Sequence, residues 1–559
     1  MTMRNTPALS AALHASLPEA PCSPAARRSA YPRLSRAQRP ARRSTRLAIT
    51  SLLAGVTGIT MAGCSDDVVY RDREPFNPPP AAAKGFLGYY DDAAKQTTCG
   101  NCHVDYQARW SGTHHARAYT TLNANAGKQD SCFSCHTVTG NGNVASGTSA
   151  GHDAVKNAAY FDVQCESCHG PGLEHVEGVG QASVVRPLAK LASTGTGTCS
   201  DCHSGSHHPF AAEWSGSRHS TVSASRATNA SCAGCHESRQ ALLKWGEDVN
   251  FAEKATATNY LPVATCATCH DPHGTANPAQ LRFPVTSQDP EQNLCMKCHM
   301  RRAEPEPPAT ASPHAPQGAV LLGIAGWRPP GFAYDTASIY GTHATEKNPR
   351  LCAGCHVTKF TVNDKLTGSF VFQATGHLMR PVPCLNAQGV PTADKTCAYT
   401  TTARSWQSCT QSGCHANAAA ANNAFNTVRA RMKFLTDQLW QNLNNDGTLQ
   451  AAPTDGGLLP TLRAQRPTEW SSADNAISPA EGAEFNARLC GEYGQSNSDN
   501  SKGVHNPFLC EALLISTISY IKSHYGLPAV TAQNQVSVEV PSLGAFSHAM
   551  RVSRATSGR

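Results

Sequence analysis

One five-residue pattern, Cys-x-x-Cys-His, occurs eight times between residues 99 and 356 and constrains this chain more than any other feature. Two thiols three positions apart lie on one side of a single helical turn, with the histidine beside them. With 7% aromatic residues, 43 glycines and 36 prolines, the chain is poor in core-forming side chains. We therefore expect a fold arranged around eight local sites. The sites are Cys99/Cys102/His103, Cys132/Cys135/His136, Cys165/Cys168/His169, Cys199/Cys202/His203, Cys232/Cys235/His236, Cys266/Cys269/His270, Cys295/Cys298/His299 and Cys352/Cys355/His356.

The spacing within each site is that of covalent haem attachment. The two thiols form thioether bonds to the haem vinyl groups, and the adjacent histidine ligates the iron as its proximal ligand. Zinc sites also use Cys-x-x-Cys pairs, but they do not require a histidine directly after the second cysteine. All eight pairs have that histidine, so the sequence predicts eight c-type haems.

A ninth site has a longer spacing between its thiols. Cys409 and Cys414 are separated by four residues and followed by His415, a variant known in multihaem cytochromes. The alternative is two disulfides among Cys384, Cys397, Cys409 and Cys414, with His415 incidental. We predict a ninth haem, with one disulfide between Cys384 and Cys397 and another between Cys490 and Cys510.

The N-terminal region has the features of an export signal. Residues 1–46 contain nine arginines and one acid, and an uncharged, largely apolar run from Leu47 to Gly63 follows. This run is short for a membrane span. It precedes Cys64 in a sequence that resembles a bacterial lipoprotein cleavage box, which predicts a lipid anchor on Cys64. An ordinary secretory signal with an unmodified Cys64 is the alternative.

Removing this signal changes the charge of the protein. From Cys64 onward there are 38 basic and 39 acidic side chains, and each haem would add two propionates. The mature protein is therefore expected to be acidic, which gives no support for nucleic-acid binding.

The chain contains an internal duplication of about 100 residues. The first three Cys-x-x-Cys-His sites recur as the fourth to sixth, and a Trp-Ser-Gly segment follows the first site of each copy, at Trp110 and Trp214. We divide the chain into a signal peptide (1–63), a linker (64–94), two three-haem units (95–190 and 191–290), an irregular haem region (291–416), C-terminal helices (417–530) and a tail (531–559).

The order of these motifs resembles the cytochrome c-554 type domain of bacterial multihaem cytochromes, over about residues 95–300. The resemblance implies a mainly α fold with extensive loops wrapped around closely packed haems and very little sheet. It also implies four distal haem ligands: the histidines that end the Trp-Ser-Gly segments, His115 and His219, and those that follow the third site of each copy, His175 and His273.

Distal ligands must come from the remaining histidines. Fourteen further histidines follow Cys64, whereas methionine is scarce. Because methionine ligation raises haem potential, this predicts low-potential irons with two histidine ligands. Beyond the four given by the resemblance, we predict His114, His152, His208, His343 and His505 as distal ligands.

The C-terminal region has the pattern of ordinary helices. Apolar residues three and four apart from Phe425 to Leu443 predict an amphipathic helix. Ser478 with Glu481 predicts the start of a second helix by a capping box, and Asn506-Pro507 opens a third that ends near His524. Val536 to Val540 is expected to form a short strand. Proline-rich stretches at 74–83 and 304–317 are interpreted as linkers.

These features favour an electron carrier or conduit of the bacterial cell envelope, with other redox proteins as partners. The first alternative is a multihaem oxidoreductase acting on a small nitrogen or sulfur compound, which needs one iron with an open site. The surplus of histidines argues against an open site, so we lean towards a carrier without a catalytic residue. The second alternative is assembly with copies of itself, as a homo-oligomer or an extracellular filament. Donor, acceptor and haem order are not set by the sequence.

Overall fold

Helical turns, short helices and loops make up most of the structure, a computed structural model. It describes residues 83–145, 150–189, 198–247, 260–307, 312–332, 342–344, 347–411, 414–491 and 498–528. The predicted signal peptide, Cys64 and the strand at Val536 to Val540 lie outside these residues. None of the described helices is long and apolar enough to cross a lipid bilayer.

The haem-motif region has short helices, several of which begin at the first cysteine of a motif. Backbone geometry within a motif is set locally: for example, the His203 amide N–H donates to the Cys199 carbonyl at 2.8 Å. The α-helices are Val104–Ser111, Ala118–Asn123, Phe133–His136, Cys165–His169, Leu173–Glu177, Cys199–Cys202, Phe210–Ser215, Ala224–Thr228, Ala230–His236, Ser238–Lys244, Cys266–Cys269, Gln317–Leu321, Cys352–His356 and Gln407–Thr410.

Single 3-10 turns connect many of these helices. They are Ala83–Gly85, Cys99–Asn101, His115–Arg117, Asp130–Cys132, Gly151–Asp153, Ala158–Tyr160, Arg218–Ser220, Pro278–Gln280, Thr342–Ala344, Pro467–Trp470 and Ser472–Asp474. Residues 83–91, within the predicted linker, pack on the first unit: Phe86 and Leu87 are fully buried. The division into domains stays a prediction.

Strands are few in the described part of the chain. They form three antiparallel pairs: Tyr89–Asp91 with Gln96–Thr97, Phe360–Asn363 with Phe370–Ala374, and Cys384–Leu385 with Pro391–Thr392. The disulfide between Cys384 and Cys397 closes the loop that contains the third pair, and this bridge confirms the predicted pairing. The prediction of a mainly α fold with little sheet is also confirmed.

The duplication is visible in three dimensions. The Trp110 indole donates to the Val163 carbonyl at 2.9 Å, and the Trp214 indole donates to the Ala264 carbonyl at 2.8 Å. Val163 and Ala264 each lie two residues before the third site of their unit. In both units, therefore, the Trp-Ser-Gly segment is anchored to the stretch of chain that enters the third site.

Four C-terminal helices enclose the largest apolar core. They are Ala418–Leu439, Leu458–Gln465, Pro479–Cys490 and Pro507–Tyr525. Met432, Leu439, Trp440, Leu462 and Phe485 are fully buried among them. The three predicted helices are confirmed, except that the first ends at Leu439 and leaves Leu443 exposed in the following loop.

The predicted bridge between Cys490 and Cys510 is wrong for this structure. Both residues are buried thiols. Burial, followed by the hydrogen bond between the two thiols, holds the pKa of Cys510 well above its ordinary value. The two helices that carry them are joined here by packing rather than by a covalent bond.

The capping box at Ser478 gives the first testable prediction. The Ser478 hydroxyl accepts from the Glu481 amide (3.1 Å) and donates to the Glu469 carbonyl (2.6 Å). Because Ser478→Ala removes the cap of a buried helix, we expect the free energy of unfolding to fall by about 1 kcal/mol. Ser519→Ala, at an exposed position inside the last helix, is the control for denaturant titration. Equal effects of the two substitutions would contradict the role of the cap.

Candidate haem-binding sites

Pairs of imidazole rings at one recurring separation are the main feature of the haem-motif region. Each pair joins a motif histidine to a histidine from a distant part of the chain. The ring centres are separated by 6.4 Å for His103 and His175, 6.2 Å for His203 and His115, 6.3 Å for His169 and His273, 6.1 Å for His236 and His314, 6.3 Å for His270 and His377, 6.2 Å for His299 and His219, and 6.1 Å for His356 and His505.

This separation is the one that a metal between two imidazoles requires. Metal–nitrogen bonds of about 2.0 Å, with roughly 1.1 Å from nitrogen to ring centre, place two ring centres about 6.2 Å apart. Imidazoles in van der Waals contact would lie closer, and unrelated rings would scatter widely. The residues present therefore fit haem iron held from both sides at these seven sites.

Two further pairs of histidines lie near each other. His136 lies within electrostatic range of His208, and His415 lies within range of His343. His208 also lies 6.5 Å from His203, at nearly perpendicular rings. The duplication favours His136, because His208 follows the fourth site as His314 follows the seventh, and His314 faces the second site of the unit that precedes it.

Burial favours the neutral form, which can ligate a metal, in three of the imidazoles that form these pairs. Burial, followed by the neighbouring imidazoles, lowers the pKa of His203, His219 and His356 to about 4. In most of the paired histidines the second ring nitrogen is hydrogen-bonded. For example, His270 Nδ1 lies 2.7 Å from the Ala279 carbonyl and His356 Nδ1 lies 2.9 Å from the Met379 carbonyl. Such a bond fixes the ring orientation and leaves the other nitrogen available.

One backbone hydrogen bond is common to the ninth site and the first site. The His415 amide donates to the Cys409 carbonyl at 3.1 Å, as the His103 amide does to Cys99 at 3.0 Å. Cys409 and Cys414 are thiols, and the disulfide that could have used them joins Cys384 to Cys397 instead.

Seven of the nine predicted distal histidines are placed beside a motif histidine, and two are not. His114 is exposed, and His152 is buried against Phe133 and Phe161 at ring separations of 5.8 and 5.7 Å. Neither forms an imidazole pair of the recurring kind among the described residues. His314 and His377 occupy such positions instead, and sequence reasoning missed both.

Attachment thiols of different sites are in contact. Hydrogen-bonded thiols join Cys99 to Cys165, Cys135 to Cys202, Cys199 to Cys266, Cys235 to Cys298 and Cys295 to Cys352. Electrostatic interactions, which act over a longer range, link Cys168 to Cys199, Cys269 to Cys295 and Cys355 to Cys409. The sites are therefore packed against one another in a connected array.

Cys102 is the predicted attachment residue that fits this enclosed array least. Its side chain is exposed, whereas its partner thiol Cys99 is partly buried. The helix Val104–Ser111 starts directly after the motif, and its first turn lies at the surface with His103. Cys414 of the ninth site is exposed in the same way. The sequence spacing assigned the same role to all the thiols, but the structure leaves these two open to solvent at the first and last sites.

Cys232 also differs from its predicted role. It is buried, and its sulfur is part of a disulfide in this structure. A sulfur in a disulfide cannot at the same time hold a haem vinyl group, so attachment at Cys232 requires the reduced thiol. The histidine of the same motif, His236, still lies opposite His314. The thioether at Cys232 therefore stays a prediction.

Comparisons with known proteins agree with this chemistry. The family model described as cytochrome c554 and c-prime matches residues 98–170, and that of the doubled CXXCH motif matches residues 261–304. The multiheme cytochrome MtrA of Shewanella baltica is 24% identical over 195 residues, covering 32% of this chain. The C-type polyheme cytochrome OmcB of Geobacter sulfurreducens is 27% identical over 196 residues, covering 30% of this chain.

These matches are partial. They span about half of MtrA, at 54% of its length, and 24% of OmcB. Among solved structures, the outer cell wall cytochrome OcwA aligns over 78% of this chain and 100% of its own, at 17% identity and a TM-score of 0.45. The repeated attachment motif, its match to two haem-motif families and the relatives named as multihaem cytochromes agree: the chain is a multihaem c-type cytochrome.

Proposed function

We propose that this protein carries electrons through nine c-type haems, each with two histidine ligands, in the bacterial cell envelope. The observation that carries the proposal is the set of seven imidazole pairs at 6.1 to 6.4 Å. We assign His136 with His208 and His415 with His343 as the remaining two. Haem iron supplies reversible one-electron chemistry in such sites.

The array of thiol contacts supports a conduit. Following the contacts, the first, third, fourth, sixth, seventh, eighth and ninth sites form one line, with the second site beside the fourth and the fifth beside the seventh. The line crosses the boundary between the repeats at the fourth site and leaves them at the seventh. Its two ends are the sites with the exposed thiols Cys102 and Cys414, which is where a redox partner could approach.

The ligand pairs also cross between units. His115, in the first unit, faces His203 at the first site of the second, and His219 faces His299 at the first site beyond the second. Each Trp-Ser-Gly segment therefore supplies a ligand to the site that begins the next unit. This arrangement fixes the spacing between units, which electron transfer between them requires.

Two histidines at every iron favour a carrier over an enzyme. A paired site leaves no position for a substrate on the metal. We therefore propose that the partners are other redox proteins, one donating and one accepting electrons. Export and a lipid on Cys64 would place the protein in the cell envelope. Filament formation has no supporting observation in the described residues.

The haem count tests the proposal. The intact mass of the purified holoprotein should correspond to nine attached haems, and the Cys409→Ser/Cys414→Ser variant to eight. The ferric protein should lack a high-spin signal, and the reduced protein should not bind carbon monoxide. Eight haems in both proteins would show that no haem is attached at Cys409 and Cys414. Carbon monoxide binding to the wild type would favour an oxidoreductase with an open iron over a carrier.

A further inference from the structure

The proposed iron ligands differ in what holds their second ring nitrogen. Most of the hydrogen-bonded ring nitrogens face a neutral oxygen. It is a backbone carbonyl, or the side-chain oxygen of Gln317 for His299 (3.1 Å) or of Thr375 for His377 (3.0 Å). Two face a carboxylate instead. His505 Nδ1 lies 2.6 Å from Asp499 Oδ1, and His273 Nδ1 lies 3.3 Å from Asp271 Oδ1.

Asp499 is a buried and closely held carboxylate. Its side chain is 0% exposed, and its other oxygen accepts from the Ser501 hydroxyl and from the Ser501 amide at 3.3 Å. In the described part of the chain, its ion-pair partner is His505 and no arginine or lysine. The negative charge of Asp499 therefore acts mainly on His505, the proposed distal ligand of the eighth site.

Asp271 is a natural comparison because its charge is shared. Its Oδ2 lies 3.2 Å from the Arg109 guanidinium and 3.6 Å from that of Arg282. Its contact with His273 is also longer than that of Asp499 with His505. Two cations thus offset the carboxylate beside the third site, whereas the carboxylate beside the eighth site accepts from the hydroxyl and the amide of one serine, Ser501.

From this contrast we propose that Asp499 is a positioning residue that lowers the reduction potential of the haem attached at Cys352 and Cys355. A carboxylate that accepts the Nδ1 proton makes the imidazole a stronger donor to the metal. Its negative charge, in a low-dielectric surrounding, also favours the more positive oxidised iron. The inference rests on the proposed function, in which His505 and His356 hold that iron.

The position of the eighth site determines how a lowered reduction potential would affect electron transfer. The eighth site lies between the seventh and the ninth in the line of thiol contacts. The backbone near Asp499 also contacts ligands of the seventh and ninth sites. Gln317, which is hydrogen-bonded to His299, donates to the Ser498 carbonyl at 3.1 Å, and His343 Nδ1 lies 2.9 Å from the Val504 carbonyl. A low-potential haem here would be reduced last and would pass its electron on readily in either direction.

The test is a spectroelectrochemical titration of the holoprotein carrying Asp499→Asn, an isosteric change that removes the charge. We expect the midpoint potential of one haem in nine to shift upward while the other eight stay unchanged. Asp271→Asn should give a smaller upward shift, and Asp364→Asn, in an exposed turn whose carboxylate accepts from Leu366 and Thr367, should give none.

A second variant separates charge from disrupted folding. Ser501→Ala keeps the carboxylate and removes a donor that shares its charge, so the same haem should stay at or below its wild-type potential. Equal upward shifts in both variants, or none in Asp499→Asn, would overturn the proposal. If the wild type proved to have fewer haems or an open iron, the proposed function would fail independently of this titration.

Discussion

Replacing His115 with alanine is expected to convert one haem in nine, the one attached at Cys199 and Cys202, from a low-spin to a high-spin form. His115 and His203 are separated by 6.2 Å between ring centres, and the substitution removes one of the two ligands that this spacing provides. Electron paramagnetic resonance of the ferric protein should show a high-spin signal of about one ninth of the iron. The reduced variant should bind carbon monoxide.

The adjacent histidine provides a matched control. His114 is exposed, and its ring lies against no other ring in the described part of the chain. His114→Ala should therefore leave all irons low-spin, although it changes the same residue type one position away. A high-spin signal in His114→Ala and none in His115→Ala would show that His114 is the ligand, and it would contradict the pairing of His115 with His203.

Attachment sites were predictable because their chemistry is local. Two thiols and a histidine within five residues share one helical turn, so spacing alone defines the site. Spacing does not show how deeply each thiol is enclosed, which is why the exposure of Cys102 was not anticipated. The helix starts at Ser478 and Asn506 were predictable because each cap satisfies amide groups within three residues. The strand pair at Phe360–Asn363 and Phe370–Ala374 was not predicted, because loops dominate the surrounding sequence.

The distal ligand assignments depend on tertiary structure and were less accessible. His114 and His152 are near attachment motifs in sequence, which made them candidates. His377 lies after the eighth motif yet faces His270 of the sixth site, which no local pattern indicates. The duplication could have indicated His314 as a ligand, because His314 follows the seventh motif as His208 follows the fourth.

The C-terminal helices enclose their own apolar core, and the structure also joins them to the haem-motif region. Asn486, fully buried on helix Pro479–Cys490, bonds to the backbone of Trp327, which follows the seventh site. Its Oδ1 accepts from the Trp327 amide at 2.8 Å, and its Nδ2 donates to the Trp327 carbonyl at 2.7 Å and to Thr517 Oγ1 at 2.9 Å. A Cβ on Gly482, one turn earlier, would lie 2.2 Å from the Trp327 ring. The close packing of Trp327 on this helix therefore depends on the hydrogen bonds of Asn486 and on the absence of a side chain at Gly482.

We expect Asn486→Leu to lower the free energy of unfolding by about 3 kcal/mol, because it removes three hydrogen bonds and leaves polar groups of Trp327 and Thr517 unsatisfied in a buried environment. Denaturant titration followed by far-ultraviolet circular dichroism measures this loss. Asn444→Leu, in an exposed loop, should change stability by less than about 0.5 kcal/mol. Because Gln317 and His505 link this region to the seventh and eighth sites, high-spin iron should appear in Asn486→Leu at lower denaturant than in wild type. A variant as stable as Asn444→Leu would show that the helices and the haem-motif region are not coupled through Asn486.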